Sequence, residues 1–228
     1  MDVVYEDNHI IIVNKAVGEI VQGDKTGDTP LVDTLKAWIK QKYDKPGNVF
    51  CGVTHRIDRP TSGLVVFAKT SKALSRMNEL FRRGDVTKTY RAIVANKPPK
   101  NADTLTHYLT SVERNNKTYV SPTPRDGSQK AVLNYRLLAS SDRYHLLEID
   151  LLTGRKHQIR AQLAAIGCPI KGDLKYGAPR SNPDGGICLQ SHRIRFIHPV
   201  SKLPVDVTAP TPDDKLWQTL TQIYRQKQ

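Results

Sequence analysis

Thr54-His55-Arg56-Ile57-Asp58-Arg59-Pro60-Thr61-Ser62-Gly63-Leu64-Val65-Val66-Phe67 sets the densest polar cluster of the chain against an apolar run. The run from Leu64 is rich in β-branched and aromatic residues and reads as a strand. Pro60 and Gly63 mark a turn before it. Asp58 therefore sits at a strand-to-loop junction, flanked by Arg56 and Arg59. Such a junction presents a side chain at a cleft edge on a rigid base. Neighbouring cations hold a carboxylate ionised, as a nucleophile or base needs. A turn aspartate that bonds its own backbone fits the same spacing. Periodicity does not choose between the two, nor does it name a reaction.

Outward from this stretch, residues 9–14 (HIIIVN), 64–69 (LVVFAK), 88–94 (KTYRAIV), 131–138 (AVLNYRLL), 144–152 (YHLLEIDLL) and 187–197 (ICLQSHRIRFI) read as strands. Four helices are expected. Thr29-Pro30 opens the first, with Leu31, Leu35, Trp38 and Ile39 on one face. The second spans 71–83, with Leu74, Met77, Leu80 and Phe81 inward, Arg82 and Arg83 at its negative end, and Gly84 as its stop. The third starts near His157, places Ile159, Leu163 and Ile166 on one stripe, and stops at Gly167. The last runs from about Pro212 to the end, opened by Thr211 with Asp214 three residues on. Residues 96–103 (NKPPKNAD) read as a polar connection and 175–186 (KYGAPRSNPDGG) as a candidate mobile loop. The expectation is one domain over residues 1–228, strand-rich with flanking helices, of α+β class.

The composition narrows the partner. With 228 residues, 38% hydrophobic and 25% charged, the chain reads as an ordinary globular protein. No run of about 18 apolar residues appears, so no membrane span is expected. The N-terminus lacks the basic start and small-residue cleavage site of a signal peptide, and a cytoplasmic location is expected. Cys51, Cys168 and Cys188 are widely spaced with no Cys-x-x-Cys pair, which suits buried free thiols rather than a zinc site or disulfides. The net charge of +13 favours a polyanion, since Lys and Arg neutralise phosphates and release counterions. The basic residues are spread along the chain, which predicts a folded basic face and not a disordered arm.

The stretch His55–Gly63 resembles the HRLDxxTSG signature of the RluA-type family of RNA pseudouridine synthases, with Ile57 in place of leucine. Further stretches agree in the same order. Asn14-Lys15-Ala16-Val17-Gly18 resembles NKPxG, with Ala16 where proline is common, which predicts a looser turn. Lys88-Thr89-Tyr90-Arg91-Ala92 resembles KxYxA. Residues 152–160 resemble LxTGRxHQIR, Gly172-Asp173-Leu174-Lys175-Tyr176-Gly177 resembles GDxxYG, and residues 189–196 resemble LxxHxLxF. The resemblance covers roughly residues 3–210. It implies the pseudouridine synthase fold, a mixed, largely antiparallel sheet with flanking helices and loops. Many larger members carry an N-terminal S4-type domain. This sequence starts at the catalytic part, so its grip on RNA is expected from its own surface and loops.

The resemblance also implies roles. Asp58 is the catalytic carboxylate, Tyr90 lies against the target base, and Arg160 pairs with the catalytic aspartate. Stacking of a flipped base on a ring such as Tyr90 is worth about 1–3 kcal/mol. His55 and Arg56 are expected to occupy or prop the space left by the extruded base, offsetting a cost of a few kcal/mol; His55 read by itself suits a buried structural histidine equally well. Arg59 and Thr61 are expected to contact RNA. Arg155 and Lys156 flank a helix N-terminus, a natural phosphate seat. Tyr176 either lines the pocket or caps its turn, and His192 is read as structural. The isomerisation breaks N1–C1′ and joins C5 to C1′ with no net change of atoms. No cofactor and no metal are therefore expected, and the partner is ribosomal or transfer RNA, met by a monomer. The rivals are a basic RNA-binding module without activity, and a hydrolase using Asp58 and His157, for which no GxSxG or HExxH pattern exists.

Overall fold

The computed structural model describes residues 1–227. Its internal contacts divide the chain into two units, Met1–Val86 with Arg193–Ala209, and Thr87–His192 with Pro210–Gln228. Each is a layer of antiparallel strands carrying helices, the α+β architecture that the strand and helix patterns lead one to expect.

The first unit is organised by β1 (Val3–Glu6), β2 (Ile10–Lys15), the short β3 (Gly52–Val53) and β4 (Ser62–Ala68). β2 and β4 are antiparallel, with Ile10 opposite Ala68 and Lys15 opposite Gly63. Both strands are buried nearly throughout. That is why they read as continuous apolar runs rather than as alternating ones. β1 and β3 add to these two, and neither was legible in the sequence. Val3–Glu6 is half-buried and ends on an acid, and two residues are too few to carry a period.

The helix α1 (Leu31–Lys42) starts after Pro30 as expected, and Leu31, Val32, Leu35 and Ile39 are its buried residues. Trp38, expected inward, is half-buried with the Lys42 ammonium 4.6 Å over its ring. The helix α2 (Ser71–Arg83) matches its expected span. The Thr70 hydroxyl accepts the Ala73 N–H at 3.1 Å, and Gly84 closes the C-terminus at φ 79°. Met77 and Ala73 enter a core with Ile10, Ile12, Leu64 and Val66. At Gly52 a Cβ would stand 2.7 Å from a Leu74 methyl, so a larger residue there would have to push that side chain aside.

The second unit contains β5 (Thr87–Val94), β6 (Ala102–Val112), β7 (Lys117–Ser121), β8 (Gln129–Ser140) and β9 (His145–Leu151), paired in the order β5-β9-β8-β6-β7. The connection expected over 96–103 gives way to β6 at Ala102. β6 was missed because its burial is sparse: Thr104, Thr106 and Ser111 interrupt any apolar alternation, and pairing with β8 and β7 holds it instead. β10 (Leu189–Ile197) carries residues of both units and pairs through Arg193–Ile197 with β11 (Pro204–Thr208) in the first. β11 is mostly exposed and opens on a proline, so it gave no strand signal.

The helix α3 (Gln158–Ala165) is buried on nearly every side over 158–163, polar residues included, with Ile166 just past its end. A short 3-10 helix, Leu174–Tyr176, opens the stretch read as a mobile loop. Lys171 Nζ donates to Asn182 Oδ1 at 2.6 Å there, and a Cβ on Gly172 would meet Asn182 and the Gly186 carbonyl at 2.7 Å. The loop is thus pinned at its middle. α4 (Lys215–Arg225) starts later than Pro212. Its cap is Asp214 and not Thr211, because the Asp214 carboxylate accepts both the Leu216 and Trp217 N–H groups, at 2.9 and 3.1 Å. Gln228, to which this helix was expected to run, lies outside the described residues.

Glu6 ties β1 to its surroundings. Its carboxylate takes Lys69 Nζ at 2.7 Å, Lys42 Nζ at 2.5 Å and the Tyr43 hydroxyl at 2.7 Å. Burial works against its charge, but these three hydrogen bonds outweigh it and hold the carboxyl at about 2. A depressed carboxyl adds stability above its unfolded value and loses it as pH falls through the folded one. The stability gap between the wild type and Glu6→Gln, measured by urea unfolding, is expected to be constant at neutral pH. It should shrink as pH falls from about 4.5 towards 2.

Candidate active site

In the first unit the Asp58 loop spans residues 54–61, between β3 and β4. Side chains fasten its start. Thr54 Oγ1 donates to the Val66 carbonyl at 2.7 Å, and His55 Nε2 accepts the Val66 N–H at 3.1 Å. The His55 ring lies 4.7 Å from Phe81 of α2. Accepting the Val66 N–H places the ring proton of neutral His55 on Nδ1 and ties the ring to β4. Ile57 is buried and anchors the middle of the loop. The Asp58 carbonyl accepts the Thr61 N–H at 3.0 Å, closing a turn around Pro60, while the half-buried Asp58 side chain stands at its head.

A buried ammonium holds the other side of this loop. Lys15, at the end of β2, is 1% exposed. Its Nζ donates to the carbonyls of Ala16 at 2.8 Å, Glu19 at 2.8 Å and Arg59 at 3.1 Å. All three ammonium protons are used. Burial pulls the lysine down to about 8, while the negative charges of Glu19 and Asp58 work to keep it protonated. Gly18 N–H and the Arg59 carbonyl bond at 3.0 Å, and Arg59 Nε returns a bond to the Gly18 carbonyl at 3.0 Å. Ala16, in the place where proline is common, does not loosen the turn. Its N–H donates to Glu19 Oε2 at 2.8 Å, a bond proline cannot make.

Two residues expected to contact RNA have differing surroundings here, Arg59 exposed and Thr61 buried. Arg59 bonds Gly18 and pairs with Asp28, so its guanidinium braces two loops together. Thr61 is 2% exposed and lies in the interior, out of reach of an RNA backbone. Arg56 is exposed, as a residue that meets RNA must be.

In the second unit Tyr90 stands on β5 opposite Ile149 of β9, with little of its surface exposed. Gln158 sets up the turn that precedes α3. Its Oε1 accepts from Thr153 Oγ1 at 2.8 Å and the Arg155 N–H at 3.0 Å, and its Nε2 donates to the Val132 carbonyl at 3.1 Å. His157 then takes a left-handed conformation, φ 51°, and the chain enters the helix. Arg155 and Lys156 are exposed at this entry, where a phosphate contact was expected.

Arg160 is buried, and so is Asp173 from the Gly172-Asp173 turn. Arg160 Nε and Nη2 donate to Asp173 Oδ2 and Oδ1 at 2.7 and 2.8 Å, a two-point contact that fixes the guanidinium plane. The Tyr176 ring lies 5.1 Å from the Arg160 Cζ. The Tyr176 hydroxyl accepts the Thr118 N–H at 2.8 Å and bonds His157 Nδ1 at 2.9 Å. Burial pushes the phenol up, so it stays protonated. Tyr176 is buried and packs beside Arg160.

Sequence reasoning quoted Lys15 and Asp173 within their motifs and gave neither a role. Their signal was present: a lysine ending an Ile-Ile-Ile-Val strand and an acid in a Gly-flanked turn are both charges where burial is expected. Among the described residues no group of three or more His, Cys, Asp or Glu side chains is placed to hold a metal, and no helix is long and apolar enough to cross a membrane.

The chain is similar to known proteins along nearly its whole length. A model of the RNA pseudouridylate synthase family matches residues 9–165. An uncharacterized RNA pseudouridine synthase, YhcT of Bacillus subtilis, is 33% identical over 218 residues, covering 94% of this chain and 70% of that protein. Ribosomal large subunit pseudouridine synthase D of Xylella fastidiosa is 32% identical over 228 residues, covering 94% and 67%. tRNA pseudouridine synthase C of Vibrio vulnificus is 31% identical over 241 residues, covering 96% and 94%. Among solved structures, human RNA pseudouridylate synthase domain containing 4 shares the fold at a TM-score of 0.80, with 24% identity over 98% of this chain and 93% of that one. The family model spans more than half of the sequence and the relatives run along nearly all of it, so the chain belongs to the RNA pseudouridine synthases of the RluA type, isomerases that convert uridine to pseudouridine within RNA.

Proposed function

We propose that this protein isomerises particular uridines of ribosomal or transfer RNA, with Asp58 as the carboxylate that meets the sugar. The observation that carries the reading is the seat of Asp58: a half-buried carboxylate at the head of a clamped turn, within a stretch matching the family signature. The two RNA classes come from the names of relatives, one acting on the large ribosomal subunit and one on tRNA. In this reading residues 1–228 work as one catalytic domain and as a monomer.

The reaction breaks N1–C1′, turns the uracil, joins C5 to C1′, and moves the C5 proton off while N1 gains one. Atoms and electrons balance without an oxidant or an energy donor. Asp58 either adds to C1′ or takes a proton from the sugar, and in both cases its negative charge offsets the positive charge that grows on the ribose. Tyr90 offers its ring to the turned base. Arg160, its plane fixed by Asp173, supplies the positive charge that keeps the catalytic carboxylate anionic. Arg56 fills the gap left by the extruded nucleotide, and Arg155 and Lys156 hold the RNA backbone. The cytoplasm is the expected place of work.

Asp58→Asn keeps size and hydrogen bonding but loses the charge. Its pseudouridine formation, followed by release of tritium from C5-labelled uridine in cellular RNA, is expected to fall at least about 10³-fold, or ~4 kcal/mol of transition-state stabilisation. RNA affinity should stay within about twofold. Full activity in that variant would remove Asp58 from the chemistry. Mapping pseudouridine in cells with and without the gene identifies the RNA.

Lys15→Met leaves the carbonyls of Ala16, Glu19 and Arg59 without their donor. A loss of about 1–3 kcal/mol in unfolding free energy is expected. Turnover should drop about tenfold or more with little change in RNA affinity, since the loop that aims Asp58 loses its tether. Wild-type turnover in a folded Lys15→Met protein would show that the clamp does not position Asp58.

A further inference from the structure

The β6–β7 hairpin of the second unit presents a built surface that the reaction does not use. Its tip turns at Asn116, φ 48°, with the Asn116 N–H on the Glu113 carbonyl at 3.0 Å. Lys175, on the 3-10 helix, donates to the Asn116 carbonyl at 3.0 Å and so pins the tip. Tyr119 is 48% exposed, a large ring left in solvent. It is nonetheless oriented, because Asn115 Nδ2 donates to its hydroxyl at 2.7 Å. The Lys117 ammonium lies 5.8 Å from the Tyr119 ring centre and 5.5 Å from that of Tyr176.

The hairpin is also fastened to the stretch that precedes α3. Thr118 donates its N–H to the Tyr176 hydroxyl and its own hydroxyl to the Lys156 carbonyl, at 2.8 and 3.0 Å. These bonds gather Arg114, Lys117, Arg155, Lys156 and Lys175 on connected backbone, and among the described residues none of the five makes an ion pair. Glu113 is the lone carboxylate of the hairpin segment 113–121. Unneutralised cations beside an oriented, exposed ring match a strand that carries phosphates and bare base faces together. A duplex hides those faces, and an acidic peptide has none.

We propose that the β6–β7 hairpin is a docking platform for single-stranded RNA flanking the target uridine, with Tyr119 stacking on one base and Lys117 and Arg114 neutralising phosphates beside it. The inference rests on the reading of the chain as an enzyme acting on RNA, and it names the part of the substrate held away from the reacting bond.

The test uses the full chain, a labelled 20-nucleotide oligouridine, an RNA duplex of the same length, and polyglutamate as competitor. Tyr119→Ser is expected to weaken oligouridine binding about tenfold, the loss that goes with one stacked base, while Tyr119→Phe stays within about twofold. Duplex binding should change little in either. Lys117→Ala should lower the steepness of log Kd against log salt by about 0.7, one phosphate on a single strand. Arg114→Ala, fully at the surface, gives the same readout should Lys117→Ala unfold. Turnover at saturating RNA is expected to match the wild type in every variant. Wild-type affinity and salt slope in the Tyr119→Ser, Lys117→Ala and Arg114→Ala variants would overturn the proposal, as would polyglutamate displacing oligouridine through the same residues. Should the variants lose RNA binding while the wild type makes no pseudouridine in any cellular RNA, the platform stands and the enzymatic reading of this chain falls. Should the wild type be active and the variants bind as it does, only the platform falls.

Discussion

The Lys15 ammonium exchanges water for three backbone carbonyls, and the placement of Asp58 follows from that exchange. A charge this deep is costly unless every proton has an acceptor. Here the acceptors belong to two loops, residues 16–19 and the Asp58 turn, so satisfying the lysine requires the loops to lie together. The pair of bonds between Gly18 and Arg59 repeats the link through the backbone and one guanidinium. Lys15 itself ends β2, directly opposite Gly63 at the start of β4. A strand pair buried on both faces thus hands its rigidity to a loop that would otherwise be free to move.

The second unit solves a similar problem with a different pair. Arg160 and Asp173 are both buried and meet through two hydrogen bonds, so neither charge is left uncompensated. Around them Tyr176, His157 and Thr118 form a chain of hydrogen bonds: the backbone N–H donates to the phenol, and the phenol bonds the imidazole. The left-handed turn at His157 aims its ring at Tyr176 and starts α3 in the register that brings Arg160 to Asp173. Polar residues fill a helix buried on nearly all sides, which an apolar stripe alone would not predict.

Much of the fold could be read before any coordinates. β2, β4, β5, β8 and β9 are long, apolar and bounded by turn residues, and α2 carries its own cap, charge pattern and stop. The elements that escaped, β1, β3, β6, β7 and β11, are short, half-exposed or polar. Their pairing comes from neighbours far away in sequence, such as β8 beside β6. Local preference has nothing to say about a strand whose stability lies in its partners. The same limit explains α4, where Thr211 and Asp214 both look like caps and only the folded backbone shows which carboxylate reaches two N–H groups.

By itself the sequence determined the family, through a long ordered series of motifs, together with Asp58 as the acid at a strand-to-loop junction and the basic charge suited to RNA. Tertiary structure decided the duties of the residues around it. His55 and Arg59 bond backbone of the protein and Thr61 is buried, while Lys15 and Asp173 are the charges that hold the loops and Arg160 in place. The reason is physical. A motif records which side chain stands at a position, but whether that side chain meets solvent, a carbonyl or an opposite charge depends on backbone brought there from elsewhere in the chain.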